Sequence, residues 1–477
     1  MKPILSRTKI IATMGPASSP KEVLKEMFIS GLDVCRLNFS HGKHDEHLKI
    51  INTIREINLE LNFNVAILAD LQGPKLRIGD IENNEVLLED GKLFNIVTTE
   101  CIGTKEQAYL TYKQFPKDVA VNDEILIDDG KIKLRVTDTN RTDTVKTIIV
   151  NGGILSSHKG INLPNTKVSL PCLTEKDLYD LDFALEHNVD WVALSFVRTV
   201  TDIVEIKEII RKKKKHTLVI AKIEKPEAIT EIDDIIDITD AIMVARGDLG
   251  VEVAFDKVPL IQKEIVKKCI GKSKPVIIAT QMLESMITAF RPTRAEATDV
   301  ANAVIDGADC LMLSGETSIG KFPVGAIQTM EKIIHVTEEA SYRFNRDHAP
   351  KEMSRTFLSD SICHSACRLA EQSKAKAIIT FSHSGYTVFQ IAAHRPKAKI
   401  IVFTSNPDLI SRLSLVWGVN VFYVDNYDNI DEAINFSIQT LVKNELLKNE
   451  DIVVHAASTP LHKKGRTNMV KLSYVKV

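Results

Sequence analysis

Short apolar segments recur along this chain, and amphipathic helical patterns separate them. Continuous apolar runs bounded by turn residues are typical of strands that are covered on both faces. Eight segments have this form, namely Thr8–Thr13, Asp33–Phe39, Val65–Asp70, Trp191–Phe196, Leu218–Glu224, Ala241–Arg246, Val276–Thr280 and Cys310–Ser314. The spacers carry apolar residues at three- and four-residue steps, as in Val204–Ile210. The sequence therefore predicts an α/β fold built on a closed (β/α)8 barrel, the TIM-barrel architecture.

A stretch with a different sequence pattern, roughly residues 72–171, separates the third apolar segment from the fourth. The turn pairs Asp90-Gly91, Asp129-Gly130 and Gly152-Gly153 divide it into short alternating runs, which predicts a small inserted all-β domain. Because this domain enters at the loop end of the barrel, we expect it to cover the site as a lid. The barrel is then predicted in two parts, residues 1–71 and 172–340.

A third block, residues 341–477, is predicted to be a separate open α/β domain. Its expected strands are Lys376–Phe381, Lys399–Phe403, Val419–Val424 and Asp451–His455. Helical patterns lie between these strands, and we regard this block as a candidate effector domain.

Composition argues against several classes of function. The 61 basic and 63 acidic residues give a formal net charge of -2, so we expect neither a nucleic-acid partner nor an acidic membrane surface. The seven cysteines are scattered without zinc-ligand spacing, which predicts reduced thiols and a cytoplasmic location. No apolar stretch reaches the roughly 18 residues that a membrane-spanning helix needs.

Polar groups gather where the predicted strands end, which is the functional face of such a barrel. Lys222 and Glu224 share one face at the end of the fifth strand, and Asp248 follows the sixth. A cation beside two carboxylates suits a divalent metal next to an anionic substrate. Alone, Lys222 with Glu224 or Arg36 with Asp70 is equally well a structural ion pair. Seven of eight strands end in charged or hydroxylic groups, and burying so many without compensation is costly.

The segment Gly247-Asp-Leu-Gly250 adds a second element to this face. Glycine permits a tight turn into a helix start, where free backbone N–H groups suit an anion such as a carboxylate. The combination predicts a ligand with phosphate, carboxylate and metal-chelating oxygens.

An ordered set of motifs resembles the pyruvate kinase family. These motifs are KIIATMGP at 9–16, RLNFSHG at 36–42, KIE at 222–224, ARGDLG at 245–250, ATQMLES at 279–285 and LSGET at 313–317. They stand in family order and span the whole barrel. The resemblance implies transfer of phosphate from phosphoenolpyruvate to ADP, giving pyruvate and ATP. It also implies Mg²⁺ or Mn²⁺ as cofactor and a homotetramer as the usual assembly.

The resemblance assigns roles by position on the phosphate side. Arg36 would hold the transferring phosphate, and Lys222 would neutralise its charge in transit. Glu224 and Asp248 would bind the divalent ion, while the N–H groups of Gly247 and Asp248 would hold the substrate carboxylate. These roles agree with phosphoryl-transfer chemistry, which needs positioning and charge neutralisation more than a covalent nucleophile.

It also assigns roles to the proton and nucleotide steps. Thr280 would contact the carboxylate or the enolate, and Thr280 and Ser314 would relay a proton through water. The sequence does not name the acid. The matching residues on the nucleotide side are Asn38, His41, Arg77 and Lys159, the last from the predicted lid.

The chain departs from many family members at their potassium site. The matching ligands here are Asn38, Ser40, Asp70 and the backbone carbonyl of Leu71. However, Lys75 stands where potassium-requiring members have glutamate, and Leu71 and Gln72 stand where they have threonine and lysine. The chain thus resembles the potassium-independent branch, in which a lysine ammonium replaces the mobile cation. The alternative is that Lys75 points to solvent at the lid hinge.

The loop Thr380–Thr387 resembles the sugar-phosphate effector loop of the family. Its hydroxyls and glycine would cradle a phosphate at a helix start, with Lys463, Lys464 and Arg466 near the matching C-terminal segment. A plain strand–helix turn is the alternative, since the loop carries Tyr386 rather than a basic residue.

Two other functions compete with phosphoryl transfer. A metal-dependent aldolase or lyase of 2-oxo acids would also hold a metal beside an enolate, but it would need neither Lys159 nor the nucleotide-side residues. A non-catalytic barrel scaffold is disfavoured because none of the expected chemical positions is blank.

Overall fold

The computed structural model describes residues 6–164, 166–340, 344–350, 352, 354–425, 429–460 and 465–476. Two strand–helix units and a third strand open the barrel: β1 (Lys9–Thr13), α1 (Lys21–Ile29), β2 (Val34–Asn38), α2 (His44–Leu61) and β3 (Ala66–Asp70). The strands pair in parallel, with Thr13 opposite Arg36 and Asn38 opposite Asp70. This register brings the polar ends of the three strands to one level.

A mostly β body, the inserted β domain, follows β3. Its elements are β4 (Leu76–Arg77), β5 (Glu85–Leu88), β6 (Leu93–Val97), β7 (Gln107–Tyr109), α3 (Phe115–Asp118), β8 (Glu124–Ile127), β9 (Ile132–Thr139), β10 (Thr144–Asn151), β11 (Gly153–Ser156) and β12 (Gly160–Asn162). Seven strands form one sheet in the order β4-β12-β8-β9-β10-β6-β7, and β11 pairs with β5. Because β4 and β12 pair antiparallel, with Ile161 opposite Leu76, the chain leaves and re-enters the barrel through adjacent strands. We call β4 and β12 the hinge strands.

The second part of the barrel supplies five strands and nine helices. They are α4 (Glu175–Glu186), β13 (Trp191–Leu194), α5 (Val200–Lys212), β14 (Leu218–Ile223), α6 (Pro226–Thr230), α7 (Ile232–Ile238), β15 (Ala241–Ala245), α8 (Arg246–Glu252), α9 (Val258–Gly271), β16 (Val276–Ala279), α10 (Arg294–Asp306), β17 (Cys310–Leu313), α11 (Gly315–Ser318) and α12 (Pro323–Ala340). The eight strands close in the order β1-β17-β16-β15-β14-β13-β3-β2. Each lies within a predicted segment, and the predicted barrel is confirmed.

Side chains fill the barrel interior completely. Trp191, Met243, Ile277 and Met312 belong to one buried interior cluster, so the barrel is a packed core and not a pore. The polar side chains must therefore lie above this core, at the carboxyl ends of the strands.

The C-terminal part is an open α/β domain. It contains α13 (Phe357–Gln372), β18 (Ala377–Phe381), α14 (Tyr386–Ala393), β19 (Lys399–Thr404), α15 (Pro407–Arg412), β20 (Val419–Tyr423), α16 (Ile430–Lys443), β21 (Ile452–Ala457) and β22 (Met469–Tyr474). The strand order is β20-β19-β18-β21-β22, with β22 antiparallel. The sequence predicted four strands and missed β22, whose residues are half-buried or exposed and so show no continuous apolar run.

This domain packs against the floor of the barrel. Leu415 is buried within the cluster that fills the barrel interior, and the Trp191 indole N–H donates to the Arg412 carbonyl over 3.1 Å. Arg395 and Asp309 form a buried ion pair of 2.9 Å across the same junction. The amino ends of the barrel strands are thus covered, and only the carboxyl ends remain available for a site.

All seven cysteines are free thiols, and six of them are buried, as the sequence predicted. Within the described ranges, no helix is both long and apolar enough to cross a bilayer.

Candidate active site

Lys222 lies at the centre of the carboxyl-end face, almost fully buried. Its ammonium lies 3.2 Å from Asp70 Oδ1 and 2.9 Å from Glu224 Oε1, and it donates to Ser195 Oγ over 2.7 Å. Burial alone would lower the pKa of Lys222, but the carboxylates of Asp70 and Glu224 outweigh burial and raise it. Lys222 therefore stays a cation across the physiological pH range.

Arg36 joins this network from β2. Its Nε donates to Asp70 Oδ2 over 2.7 Å and its Nη1 to Thr13 Oγ1 over 2.8 Å. Burial would raise the pKa of Asp70, but Lys222 and Arg36 lower it further than burial raises it. Asp70 is thus an anion held between two cations, and it orients both of them toward the same face.

Glu224 and Asp248 supply the two carboxylates expected to hold a divalent ion. The Phe196 N–H donates to Glu224 Oε2 over 2.7 Å, while Oε1 contacts Lys222 as an ion pair without the geometry of a hydrogen bond. Burial, together with the nearby charge of Asp248, raises the pKa of Glu224. Among the described residues this oxygen has no hydrogen-bond donor, and the charge of Asp248 is close enough to act on Glu224, an arrangement that fits a divalent cation.

Thr280 and Gly247 meet beside these carboxylates. The Gly247 N–H donates to Thr280 Oγ1 over 2.8 Å, and Thr280 Oγ1 donates to the Ala279 carbonyl over 2.6 Å. Thr280 takes the left-handed backbone conformation at φ 68°, which is uncommon for a β-branched residue. In this state the Gly247 N–H is occupied by the threonine hydroxyl.

Ser314 stands at the end of β17, next to α11. Its backbone N–H donates to Glu316 Oε2 over 2.7 Å, and Glu316 Oε1 also accepts from the Leu283 N–H over 3.0 Å. Glu316 is fully buried, so it fixes the backbone of Ser314 against the loop that follows β16.

The residues predicted to bind the nucleotide are spread over the barrel rim and the inserted β domain. Burial lowers the pKa of His41, and the cations Arg77, Lys75 and Arg36 lower it further. His41 is therefore neutral at pH 7 within a cationic surface. Arg77 donates to the His158 carbonyl over 3.1 Å, so its guanidinium is already positioned.

Lys159 and Asn38 complete this set. Lys159 belongs to the inserted β domain, where its ammonium pairs with Asp128 Oδ1 at 2.9 Å. Asn38 Oδ1 accepts from the Ser40 N–H over 3.1 Å, so Asn38 shapes its own loop. Asp70, by contrast, is committed to Arg36 and Lys222.

Lys75 lies just before β4 and turns toward the site. Its ammonium is 3.7 Å from Asp248 Oδ1, and its side chain is 31% exposed. Lys75 is therefore a fixed cation beside a predicted metal ligand and is not directed only to solvent.

The comparison with known families identifies the chain. The family model described as "Pyruvate kinase, barrel domain" matches residues 5–327, and the one described as "Pyruvate kinase, alpha/beta domain" matches residues 360–473. The chain belongs to the pyruvate kinase family. A pyruvate kinase is a phosphotransferase, and membership over both domains leaves the aldolase and scaffold alternatives without support.

Curated pyruvate kinases match over nearly the whole chain. That of Geobacillus stearothermophilus is 43% identical over 472 residues, covering 98% of this chain and 80% of the relative. That of Staphylococcus haemolyticus is 40% identical over 474 residues, covering 99% and 81%. The crystal structure of a pyruvate kinase from Cryptosporidium parvum superposes with a TM-score of 0.92 at 34% identity, covering 99% of this chain and 97% of that one.

The pyruvate kinase fold places the candidate effector loop between β18 and α14. The Gly385 N–H donates to Ser382 Oγ over 3.0 Å, and the Tyr386 hydroxyl donates to Asp360 Oδ1 over 2.5 Å. Arg466 donates to the Arg355 carbonyl, while Lys463 and Lys464 lie outside the described residues. The Asp360 carboxylate is a negative charge at the predicted phosphate site.

Two residues of this pyruvate kinase site were not assigned roles from the sequence. Ser195 accepts from Lys222 and donates to the Leu71 carbonyl over 2.7 Å, so it links β13 to the cluster. Glu252 is buried at the end of α8, where its carboxylate accepts from Lys225 over 2.7 Å. The sequence does place Ser195 at the end of a predicted strand. No local sequence pattern points to Glu252, because its contacts with Asn162 and Lys225 join residues that are distant in sequence.

Proposed function

We propose that the chain catalyses phosphoryl transfer from phosphoenolpyruvate to ADP at the carboxyl-end face of the barrel. The observation that carries this proposal is the position of Lys222, held between Asp70 and Glu224 with Asp248 nearby. In the reaction the bond from phosphorus to the enol oxygen breaks and a bond to a β-phosphate oxygen of ADP forms. The enolate of pyruvate then takes a proton at carbon.

Glu224 and Asp248 would hold Mg²⁺ or Mn²⁺. When bound, the ion supplies charge neutralisation at the phosphate and the enolate oxygen. Glu224 Oε1 accepts no hydrogen bond from the described residues, although it is paired with the Lys222 ammonium at 2.9 Å, and the nearby charge of Asp248 raises the pKa of Glu224. Both observations support this assignment.

Lys222 and Arg36 would neutralise the migrating group. Lys222 offers a point charge with three donors, and Arg36 has one terminal nitrogen, Nη2, that makes no hydrogen bond within the described ranges. Both side chains are fixed by Asp70, so little reorganisation is needed as charge moves.

Thr280, Gly247 and Asp248 would bind the carboxylate of the substrate. For this to happen the Thr280 hydroxyl must rotate away from the Ala279 carbonyl, to which it donates, and must release the Gly247 N–H, from which it accepts. Thr280 and Ser314 would then relay a proton through water to the enolate carbon, from an acid that the residues do not identify.

The nucleotide would lie against Asn38, His41 and Arg77, with Lys159 arriving from the inserted β domain acting as a lid. Lys159 must exchange its ion pair with Asp128 for the nucleotide phosphates. We also infer a cytoplasmic homotetramer with domain limits at residues 1–71, 72–171, 172–340 and 341–477.

An ATP-formation assay tests the main proposal. Purified protein with phosphoenolpyruvate, ADP and Mg²⁺ should form ATP and pyruvate in equal amounts, and a chelator should stop both. Pyruvate released together with inorganic phosphate when ADP is absent would show hydrolysis of phosphoenolpyruvate and would contradict transfer to the nucleotide. Absence of both products would contradict the assigned activity.

We also propose that the activity does not require potassium. The Lys75 ammonium stands 3.7 Å from Asp248 Oδ1, and we infer that this fixed charge replaces the potassium ion whose ligands match Asn38, Ser40, Asp70 and Leu71. A permanent cation at this place lowers the benefit of binding a mobile one.

The loop Thr380–Thr387 remains a proposed effector site for a phosphorylated ligand. The Ser382 hydroxyl and the start of α14 support it, while Asp360 opposes it until the Tyr386 hydroxyl moves. Sugar phosphates and AMP should shift the phosphoenolpyruvate saturation curve, and an unmoved curve would remove the proposal.

A further inference from the structure

Helix α8, which carries Asp248 in its first turn, is held at both ends by residues at the hinge strands. Lys75, immediately before β4, pairs with Asp248 Oδ1 at 3.7 Å. Asn162, the last residue of β12, donates from Nδ2 to Glu252 Oε1 over 2.9 Å. Glu252 is the last residue of α8. Residues at both hinge strands therefore contact this helix, one near each of its ends.

The two contacts differ in strength. The Lys75–Asp248 pair is about one-third exposed on both sides and 3.7 Å long, so solvent screens it. Asn162 and Glu252 are both buried, at 9% and 4% exposure, and they make a hydrogen bond to a charged acceptor. Charge-assisted bonds of this kind are stronger than neutral ones, and breaking one in the interior is costly.

Glu252 is also linked, through Lys225, to the segment that carries Glu224. The Lys225 ammonium donates to the same Glu252 Oε1 over 2.7 Å, and Lys225 directly follows Glu224 in the chain. Lys225 also lies 5.9 Å from the ring centroid of Phe196, whose N–H holds Glu224 Oε2. The Oε1 atom of Glu252 therefore contacts Asn162 of β12 and also Lys225, which follows Glu224. Glu252 itself belongs to α8, the helix that carries Asp248.

We propose that Glu252 is a positioning residue that couples the angle of the inserted β domain to the placement of Glu224 and Asp248. This inference rests on the proposed function, because the proposed function assigns a metal to the two carboxylates and the role of a lid to the inserted β domain. Coupling of this kind is reciprocal: filling the carboxylate site favours one domain angle, and closing the domain favours the filled site.

Asn162→Ala tests the coupling without altering Glu252 itself. In the wild type, Mn²⁺ with phosphoenolpyruvate should slow amide hydrogen exchange in β4 and β12, and the variant should lose most of that slowing. The variant should also raise the KM for ADP about tenfold, the factor expected for one charge-assisted hydrogen bond, while kcat falls less than threefold. Asn162→Asp places a carboxylate against Glu252 and should have the larger effect.

Asn151→Ala is the matched control. Asn151 is an exposed asparagine of β10 that donates to the Lys131 carbonyl within the inserted β domain, so its loss should leave the exchange response and the KM unchanged. If Asn162→Ala behaves like Asn151→Ala, the coupling role is overturned. If Asn162→Ala does not fold, Asn162→Ser is judged by the same criteria. If the wild type forms no ATP, the proposed function fails. Amide hydrogen exchange in β4 and β12, measured with Mn²⁺ alone in the wild type and in Asn162→Ala, would still test the coupling.

Discussion

The ammonium of Lys222 on β14 lies 3.2 Å from the carboxylate of Asp70 on β3, across the intervening strand β13. Asp70 also holds Arg36 from β2. One buried carboxylate thus orients the two cations that are proposed to receive the migrating phosphate. Rigid placement of these charges before the substrate arrives is the main catalytic device available to such a site.

Lys222→Met should lower turnover by at least about 100-fold, because a positioned charge at the transferring group is lost. It should also lower the free energy of unfolding by about 3 kcal/mol, since Asp70 and Glu224 lose a shared buried partner. Lys222→Arg keeps the charge and should retain stability but not turnover. Steady-state kinetics and urea unfolding measure both effects. Near-normal turnover in folded Lys222→Met would remove Lys222 from the mechanism.

The affinity for Mn²⁺ should fall as pH is lowered, starting above the ordinary glutamate pKa of 4.5. Burial raises the pKa of Glu224, so its protonated form, which cannot bind metal, is populated at higher pH than for an exposed glutamate. Titration of free Mn²⁺ by electron paramagnetic resonance from pH 8 to pH 5 measures this. Glu224→Gln should weaken binding at every pH, whereas the exposed Glu205→Gln should match the wild type.

Replacing K⁺ by Na⁺ or tetramethylammonium should leave most of the wild-type activity. Lys75→Met removes the fixed cation near Asp248, so its activity should fall and should recover partly with added K⁺. Lys113→Met, at an exposed lysine of the inserted β domain, is the matched control and should stay indifferent to K⁺. Loss of most wild-type activity in Na⁺ would reject the role given to Lys75.

Stability should fall between pH 6.5 and pH 4 because of His455. This histidine is fully buried on β21, and neither ring nitrogen has a hydrogen-bond partner among the residues that the structure describes. Burial, followed by the charge of Lys471, lowers its pKa to about 4. The unfolded chain therefore takes up the proton first as pH falls. At pH 5 the loss is about 2 kcal/mol, and none is expected above pH 7.

His455→Leu should accordingly narrow the difference between thermal midpoints measured at pH 7.5 and pH 5. The exposed His216→Leu should leave that difference as it is in the wild type. An unchanged difference in His455→Leu would show that other groups govern the acid sensitivity.

The sequence was sufficient for the barrel because each buried strand is one continuous apolar run, as in β15 (Ala241–Ala245). Its polar ends were predictable for the same reason, since Lys222 and Glu224 break such a run at a defined point. Partners distant in sequence were not predictable. Ser195, Asn162 and Glu252 meet their neighbours only after the barrel closes and the inserted β domain folds back. Strand β22 was missed because an edge strand half open to water carries no apolar signature.

The floor of the barrel has a consequence for the independence of the parts. Leu415 fills the bottom of the interior cluster, and Arg395 neutralises Asp309, which is otherwise a charge sealed from water. Removing the residues after about 340 would expose the lower end of the barrel core and would leave the buried Asp309 carboxylate without Arg395. A ligand that shifts the C-terminal domain would therefore act on the amino ends of barrel strands whose carboxyl ends are proposed to carry the catalytic residues.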